Sequence, residues 1–138
     1  LSIRRQRQMC IRDRINTGRE EDGLLALSEA RSVNNARAAE LNQPDSGATQ
    51  EERDANVVDH AEITYHLAIG NYRLGRFAEA REFLEEARAF FISIQQGGRF
   101  DVRDRLVAVL DDLVLTCTEL GDDDAAADYA RERDSYNE

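Results

Sequence analysis

The most regular run of apolar positions lies between residues 77 and 94. Phe77, Ala80, Leu84, Ala87, Phe91 and Ile94 follow one another at steps of three and four. Those steps gather side chains on one side of a helix, whereas a strand face uses every second residue. Upstream, Val58, Ala61, Tyr65, Ala68 and Tyr72 keep the same rhythm, and Leu67 and Leu74 add a second apolar side. A helix covered from two directions is predicted there. Gly75 stands between the two stripes, where the earlier helix must stop. Glycine enters the left-handed conformation of a helix C′ position without a Cβ penalty.

The same reading divides the rest of the chain. Leu24, Leu27, Ala30 and Val33 or Asn34 form a thinner stripe within a helix over about 20–41, opened by the capping-box pattern Thr17-Gly18-Arg19-Glu20. Residues 42–48 hold the sole proline, Pro44, among Asn, Asp, Ser and Gly, and read as a loop. Thr49-Gln50-Glu51-Glu52 is a second capping box and starts a helix over about 50–74. A third helix over about 76–96 stops at Gly97-Gly98. Asp101 is the expected N-cap of a fourth over about 102–120, whose stripe is Leu106, Leu110, Leu113, Cys117 and Leu120. Gly121 ends it, and Asp122 caps a fifth over about 123–136, thinly apolar with Ala126, Tyr129 and Ala130. The expected fold class is all-α: stacked antiparallel helical hairpins, about five helices in one domain over 15–138. A closed helical bundle is the alternative.

The central hairpin resembles a tetratricopeptide (TPR) repeat. Leu67-Ala68, then Gly75, Phe77, Ala80, Leu84 and Ala87 fall at the spacing of that family's large and small positions. Small residues suit the sites where two helices cross closely, and large ones fill the gaps between. The family's early Trp-like position falls on Thr64, its usual Tyr on Asn71 and its closing Pro on Ile92. Leu113-Val114, Gly121, Ala126 and Ala130 repeat the design loosely. The glycines Gly18, Gly75 and Gly121 are 57 and 46 residues apart, longer than the family period of about 34. The resemblance implies an α-solenoid fragment whose function is non-catalytic protein–protein interaction. In the family the first helix of each hairpin lines a groove that binds a protein or peptide segment. By position those residues are Glu62, Tyr65, Ile69, Tyr72 and Arg73, with Asp111, Leu115 and Thr118 from the second unit. Tyr65 and Tyr72 are expected exposed, as anchors. The competing reading has both tyrosines packed against the first helix or a preceding repeat.

Charge changes this picture in two ways. The chain has 18 basic and 28 acidic residues for a net −10, and every basic residue is Arg. The start, LSIRRQRQMCIRDR, carries +4 and resembles translated sequencing-adapter read-through at the ends of assembled metagenomic fragments. On that reading residues 1–14 are foreign, and the chain is the C-terminal fragment of a longer protein. It would then be an interaction scaffold or, alternatively, the sensory or assembly tail of a signalling regulator or transcription factor. The alternatives for residues 1–14 are a genuine start that extends the first helix or a basic nucleic-acid arm. The remaining 124 residues carry −14, without lysine, and resemble the proteins of a salt-adapted archaeon or another GC-rich organism. Outside the first fourteen residues no basic cluster offers a nucleic-acid face. No apolar run is long enough to span a membrane, and the Arg-rich start, without an apolar segment, is not expected to act as a secretory signal. A cytoplasmic location is expected.

Candidate chemistry is sparse. His60 and His66 are six residues apart, whereas two helical metal ligands need a step of three or four. Asp122-Asp123-Asp124 lacks the alternating ligands of a calcium loop and reads as a helix start. No glycine-rich stretch is followed by lysine, so no phosphate loop is expected. Cys117, in an apolar row, reads as an ordinary buried thiol. No catalytic residue, metal or cofactor is expected. A small helical enzyme, the remote alternative, would require His66, Cys117 and a carboxylate to converge in a deep pocket.

Overall fold

Five helices make up the computed structural model of the chain: α1 (Ile3–Leu41), α2 (Gln50–Arg73), α3 (Phe77–Gly97), α4 (Arg103–Glu119) and α5 (Asp123–Ser135). Residues 3–137 are described, with side chains from Gly18 to Asn137. The basic side chains from Arg4 to Arg14, and Cys10 among them, lie outside that range. The fold is all-α, with no strand among the described residues. Each helix packs on the next in chain order. No helix among the described residues is long and apolar enough to cross a membrane.

The core is continuous across α2, α3 and α4. Ala61 and Ala68 of α2 meet Leu84, Ala87, Phe91 and Ile94 of α3, and these join Leu106, Val109, Leu110 and Leu113 of α4. Alanine at Ala61, Ala68, Ala80 and Ala87 is fully buried, so backbone approaches backbone where the helices cross. Thr64, Asn71 and Thr116 are buried too. They return their polar atoms to the preceding turn: Thr64 Oγ1 donates to the His60 carbonyl at 2.8 Å, Asn71 Nδ2 to Leu67 at 2.8 Å and Thr116 Oγ1 to Asp112 at 2.7 Å. A short polar side chain can therefore occupy a core row without an unmet hydrogen bond.

Two helix ends use one device. Gly75 (φ +76°) and Gly121 (φ +77°) take the left-handed conformation. Arg76 N–H reaches the Asn71 carbonyl at 2.9 Å and Gly75 N–H the Tyr72 carbonyl at 2.9 Å. Asp122 and Gly121 bond Cys117 and Thr118 in the same way, at 2.8 and 3.0 Å. Both are Schellman caps. At N-termini, Thr49 Oγ1 accepts from Glu52 N–H at 3.1 Å and Asp122 Oδ1 from Ala125 N–H at 3.2 Å.

Three expectations are corrected. Thr17-Gly18-Arg19-Glu20 does not start a helix, because α1 runs through it without a break. Asp101 is not the N-cap of α4. That position is Val102, drawn into the core, while Asp101 Oδ1 accepts from Arg103 N–H at 3.3 Å. The inward row of α1 is also different. Leu24 and Leu41 are buried and Leu27, Arg31, Asn34 and Ala38 half-buried, whereas Ala30 and Val33 face solvent. The row keeps steps of three and four, but its middle is polar.

That polar middle is a three-helix cluster. Arg31 of α1 pairs with Glu86 of α3 and lies 5.4 Å from the centre of the Phe83 ring. His60 of α2 stands edge-on to Phe90 of α3, with ring centres 5.0 Å apart. Burial, and then the charge of Arg31, holds the His60 pKa below its ordinary value, while Glu86 pulls the other way. The unfolded chain then binds the His60 proton more readily than the native state. Stability is complete above the ordinary histidine pKa of about 6.5 and falls as pH drops from there through the lower native value. Thermal unfolding between pH 7.5 and 5, roughly spanning that window, is expected to show a falling midpoint in the native chain. His60→Gln should flatten the profile. An unchanged slope in the variant would place the titrating group elsewhere.

Arginine bridges helices beyond the nearest neighbour. Arg31–Glu86 links α1 to α3, Arg105–Glu62 links α4 to α2, and Arg88–Glu132 links α3 to α5. Arg81 joins Glu85 and Asp122, each at 2.9 Å. Many exposed acids, including Glu51, Glu52, Asp59, Glu82, Asp104 and Glu119, have no basic partner within 4.0 Å among the described residues. Exposed pairs each contribute about 0–1 kcal/mol, so screening them costs little. Screening the unpaired negative excess relieves repulsion over the whole surface. The midpoint of thermal unfolding is expected to rise between about 0.1 M and about 2 M KCl. Equal midpoints would show that the negative excess does not strain the fold.

Candidate functional site

Two side-chain bridges join α2 to α4. Arg105 pairs with Glu62, and the Tyr65 hydroxyl donates to the Asp112 carboxylate across 47 residues of sequence. Burial, followed by that hydrogen bond, raises the Tyr65 phenol well above its ordinary pKa. Burial also raises the Asp112 carboxyl, against the lowering effect of Tyr65 and with the aid of neighbouring Asp111. Both groups are committed to each other as donor and acceptor. Tyr65 also packs against the core cluster, and Tyr72 stands edge-on to Phe77 at 5.2 Å. Both tyrosines are half-buried. The expectation that they stand exposed as anchors is not met, because their rings fill gaps beside α3 and α4.

The other expected groove residues fall in two places. Ile69 and Arg73 line a cleft of about 380 Å³ between α2 and α1, together with Leu24, Leu27 and His66. Its floor is Gly70, where a Cβ would stand 2.4 Å from Leu24 Cδ2. The missing side chain lets α1 approach α2 closely. On α4, Asp111, Leu115 and Thr118 share one outward face at steps of four and three. Asp111 accepts from Arg133 at 2.8 Å, and Thr118 Oγ1 donates to the Val114 carbonyl at 2.7 Å. Leu115 is 53% exposed between them. Glu62 and Tyr65 therefore join α2 to α4, whereas Asp111, Leu115 and Thr118 face outward on α4, with Asp111 bridged to α5 through Arg133. Ile69 and Arg73 turn toward α1.

Sequence reasoning missed four participants. Arg105 and Asp112 gave no local signal, since their partners lie 43 and 47 residues away. His66 enters the sequence reading as a metal ligand and as the histidine of the enzyme alternative, not as a wall of the α1–α2 cleft. Gly70 carried a signal: an isolated glycine inside a helical pattern marks a close backbone approach.

Cys117 is fully buried, and burial pushes its thiol pKa up. A raised thiol holds less thiolate, the reactive form. Cys117 does not line the α1–α2 cleft, where His66 is exposed near Glu20. No group of three or more His, Cys, Asp or Glu residues is placed to hold a metal ion among the described residues.

Set against protein-family models, curated proteins and solved structures, the chain matches none of them.

Proposed function

We propose that the chain is a TPR-like interaction module that holds a peptide segment of a partner protein along the α2–α4 face. The observation that carries this reading is the seam between those helices. Tyr65–Asp112 and Glu62–Arg105 align two helices from successive hairpins. That alignment is what a stack of repeats produces and what the shared groove of such a stack requires. The packing of each helix on its chain neighbours supports the same reading. An exposed apolar side chain, Leu115, stands on the outer face of α4 one turn from Glu119, an exposed acid with no basic partner within 4.0 Å among the described residues. The complementary segment is basic with an apolar anchor: charge steers its approach and the anchor supplies the buried area.

A displayed library of random peptides tests this. The peptides retained by the chain should combine arginine or lysine with a large apolar residue. Leu115→Asp should weaken them about tenfold or more, the cost of losing a buried anchor. Ile69→Asp places a second acid at the α1–α2 cleft and should leave peptides confined to the seam unchanged. Enrichment of no peptide over a helical control protein would overturn the reading. So would peptides indifferent to Leu115→Asp.

A further inference from the structure

A second cleft lies between the α1–α2 loop, the first turns of α2 and the end of α3. It encloses about 410 Å³ and shares no residue with the face just described. Its charges are unequal. Asp54 accepts from Arg99 through both carboxylate oxygens, at 2.6 and 2.9 Å, and from Gln50 Nε2 at 2.8 Å. Those hydrogen bonds hold its carboxyl below the usual carboxylate range. Asp54 and Arg99 thus neutralise each other. Arg53 does not share in that pair. Its Nε donates to the Leu41 carbonyl at 3.0 Å, and it has no carboxylate within 4.0 Å among the described residues. Its two terminal nitrogens make no hydrogen bond among the described residues. A half-buried cleft wall therefore carries an unmatched positive charge in a chain of net −10.

The remaining walls are apolar. Val57 and Phe100 are 43% and 41% exposed at the rim, while Val58 and Ile94 lie deeper. The volume is at the small end of the range for small-molecule sites, about 300–1,000 Å³. An inorganic anion would leave the apolar walls unused. A nucleotide would bring several charges to one unmatched arginine, with no phosphate-cradling loop beside it. We propose that this cleft binds a small organic carboxylate with an apolar body, the carboxylate on Arg53 and the body against Val57, Ile94 and Phe100. A guanidinium matches a carboxylate with two parallel N–H donors, and partial burial strengthens the pair.

Phenylacetate is a fitting probe: one ring and one carboxylate. Titrated into the full ¹⁵N-labelled chain, it should move amide signals of residues 53–58 and 93–100 in a saturable way. Phenylacetamide, which lacks the charge, and acetate, which lacks the body, should each bind about tenfold or more weakly. Arg53→Gln should cost phenylacetate a similar factor. Because Arg53 also holds the Leu41 carbonyl, Phe100→Ala at the exposed rim gives an independent reading. It should weaken phenylacetate severalfold while leaving the thermal midpoint in place. No saturable shift up to about 10 mM would overturn the proposal, since a ligand of this size on a fitted site binds at least that well. Equal affinity for phenylacetamide would also overturn it, as would shifts centred outside these residues. Unaltered binding in both variants would do the same.

Discussion

Phe91→Ala is expected to bring the domain close to unfolding. Phe91 is fully buried on α3, the helix that both α2 and α4 pack against. Its ring belongs to the cluster that joins Ala61 and Ala68 on one side to Leu106, Val109, Leu110 and Leu113 on the other. Truncation removes the ring's transfer free energy and leaves a cavity bounded by three helices, which cannot all close on it. The cost of such a change is about 3–5 kcal/mol. Total stabilities of about 5–15 kcal/mol leave little after that loss. The thermal midpoint, followed by far-UV circular dichroism, should fall by roughly 10 °C or more. Phe100→Ala makes the comparison. The same chemical change at the exposed rim should fall within about 0.5 kcal/mol of the native chain. If the two variants unfold together, the cluster around Phe91 is not what holds the helices.

The α3 stripe was readable because every step was apolar. Ala80, Leu84, Ala87, Phe91 and Ile94 all turned out buried, and Phe77 half-buried. The helix ends at Gly75 and Gly121 were readable for a related reason: positive φ leaves glycine nearly alone as a candidate. Helix α1 was harder. Hydropathy selects Ala30 and Val33, yet the inward row passes through Arg31 and Asn34. Arg31 is held inward by Glu86 and Phe83, both on α3, and Asn34 offers its backbone carbonyl to Asn56 at 3.3 Å. Inward arginines of this kind follow from partners more than fifty residues away, which periodicity does not register. The candidate site divides in the same way. Positions on α2 and α4 were what the resemblance to a TPR repeat implied. The Tyr65–Asp112 bond that aligns those helices, and the Asp54–Arg99 pair that leaves Arg53 unmatched, are long-range and became visible only in three dimensions.

Gly70→Val is expected to detach α1 and leave the other four helices folded. A Cβ at Gly70 would stand 2.4 Å from Leu24 Cδ2 and 3.1 Å from Leu24 Cγ. Leu24 can turn its end only into the cleft it lines, and in doing so gives up the buried contact that holds α1 on α2. The branched valine side chain adds further atoms at the same point, and α1 must lift. Helix propensity does not oppose the change, since valine is no worse than glycine in a helix interior. What is lost is the interface. Its apolar part is small: Leu24 and Leu41 are the only buried apolar side chains of α1 among the described residues, and its centre is polar. Arg31 Nε and Asn34 Oδ1 are buried there without a hydrogen-bond partner, and each such group costs about 1–3 kcal/mol. Exposing them to water therefore recovers part of what undocking gives up. Hydrogen exchange should show amides of residues 18–41 losing protection while those of α3 and α4 keep theirs, since sub-global opening follows packing units. A stack of hairpins behaves this way, because each unit leans only on its neighbours. A closed bundle would instead lose protection in all five helices together. Loss of protection throughout α3 and α4 would thus reject the stacked arrangement on which the proposed α2–α4 groove depends.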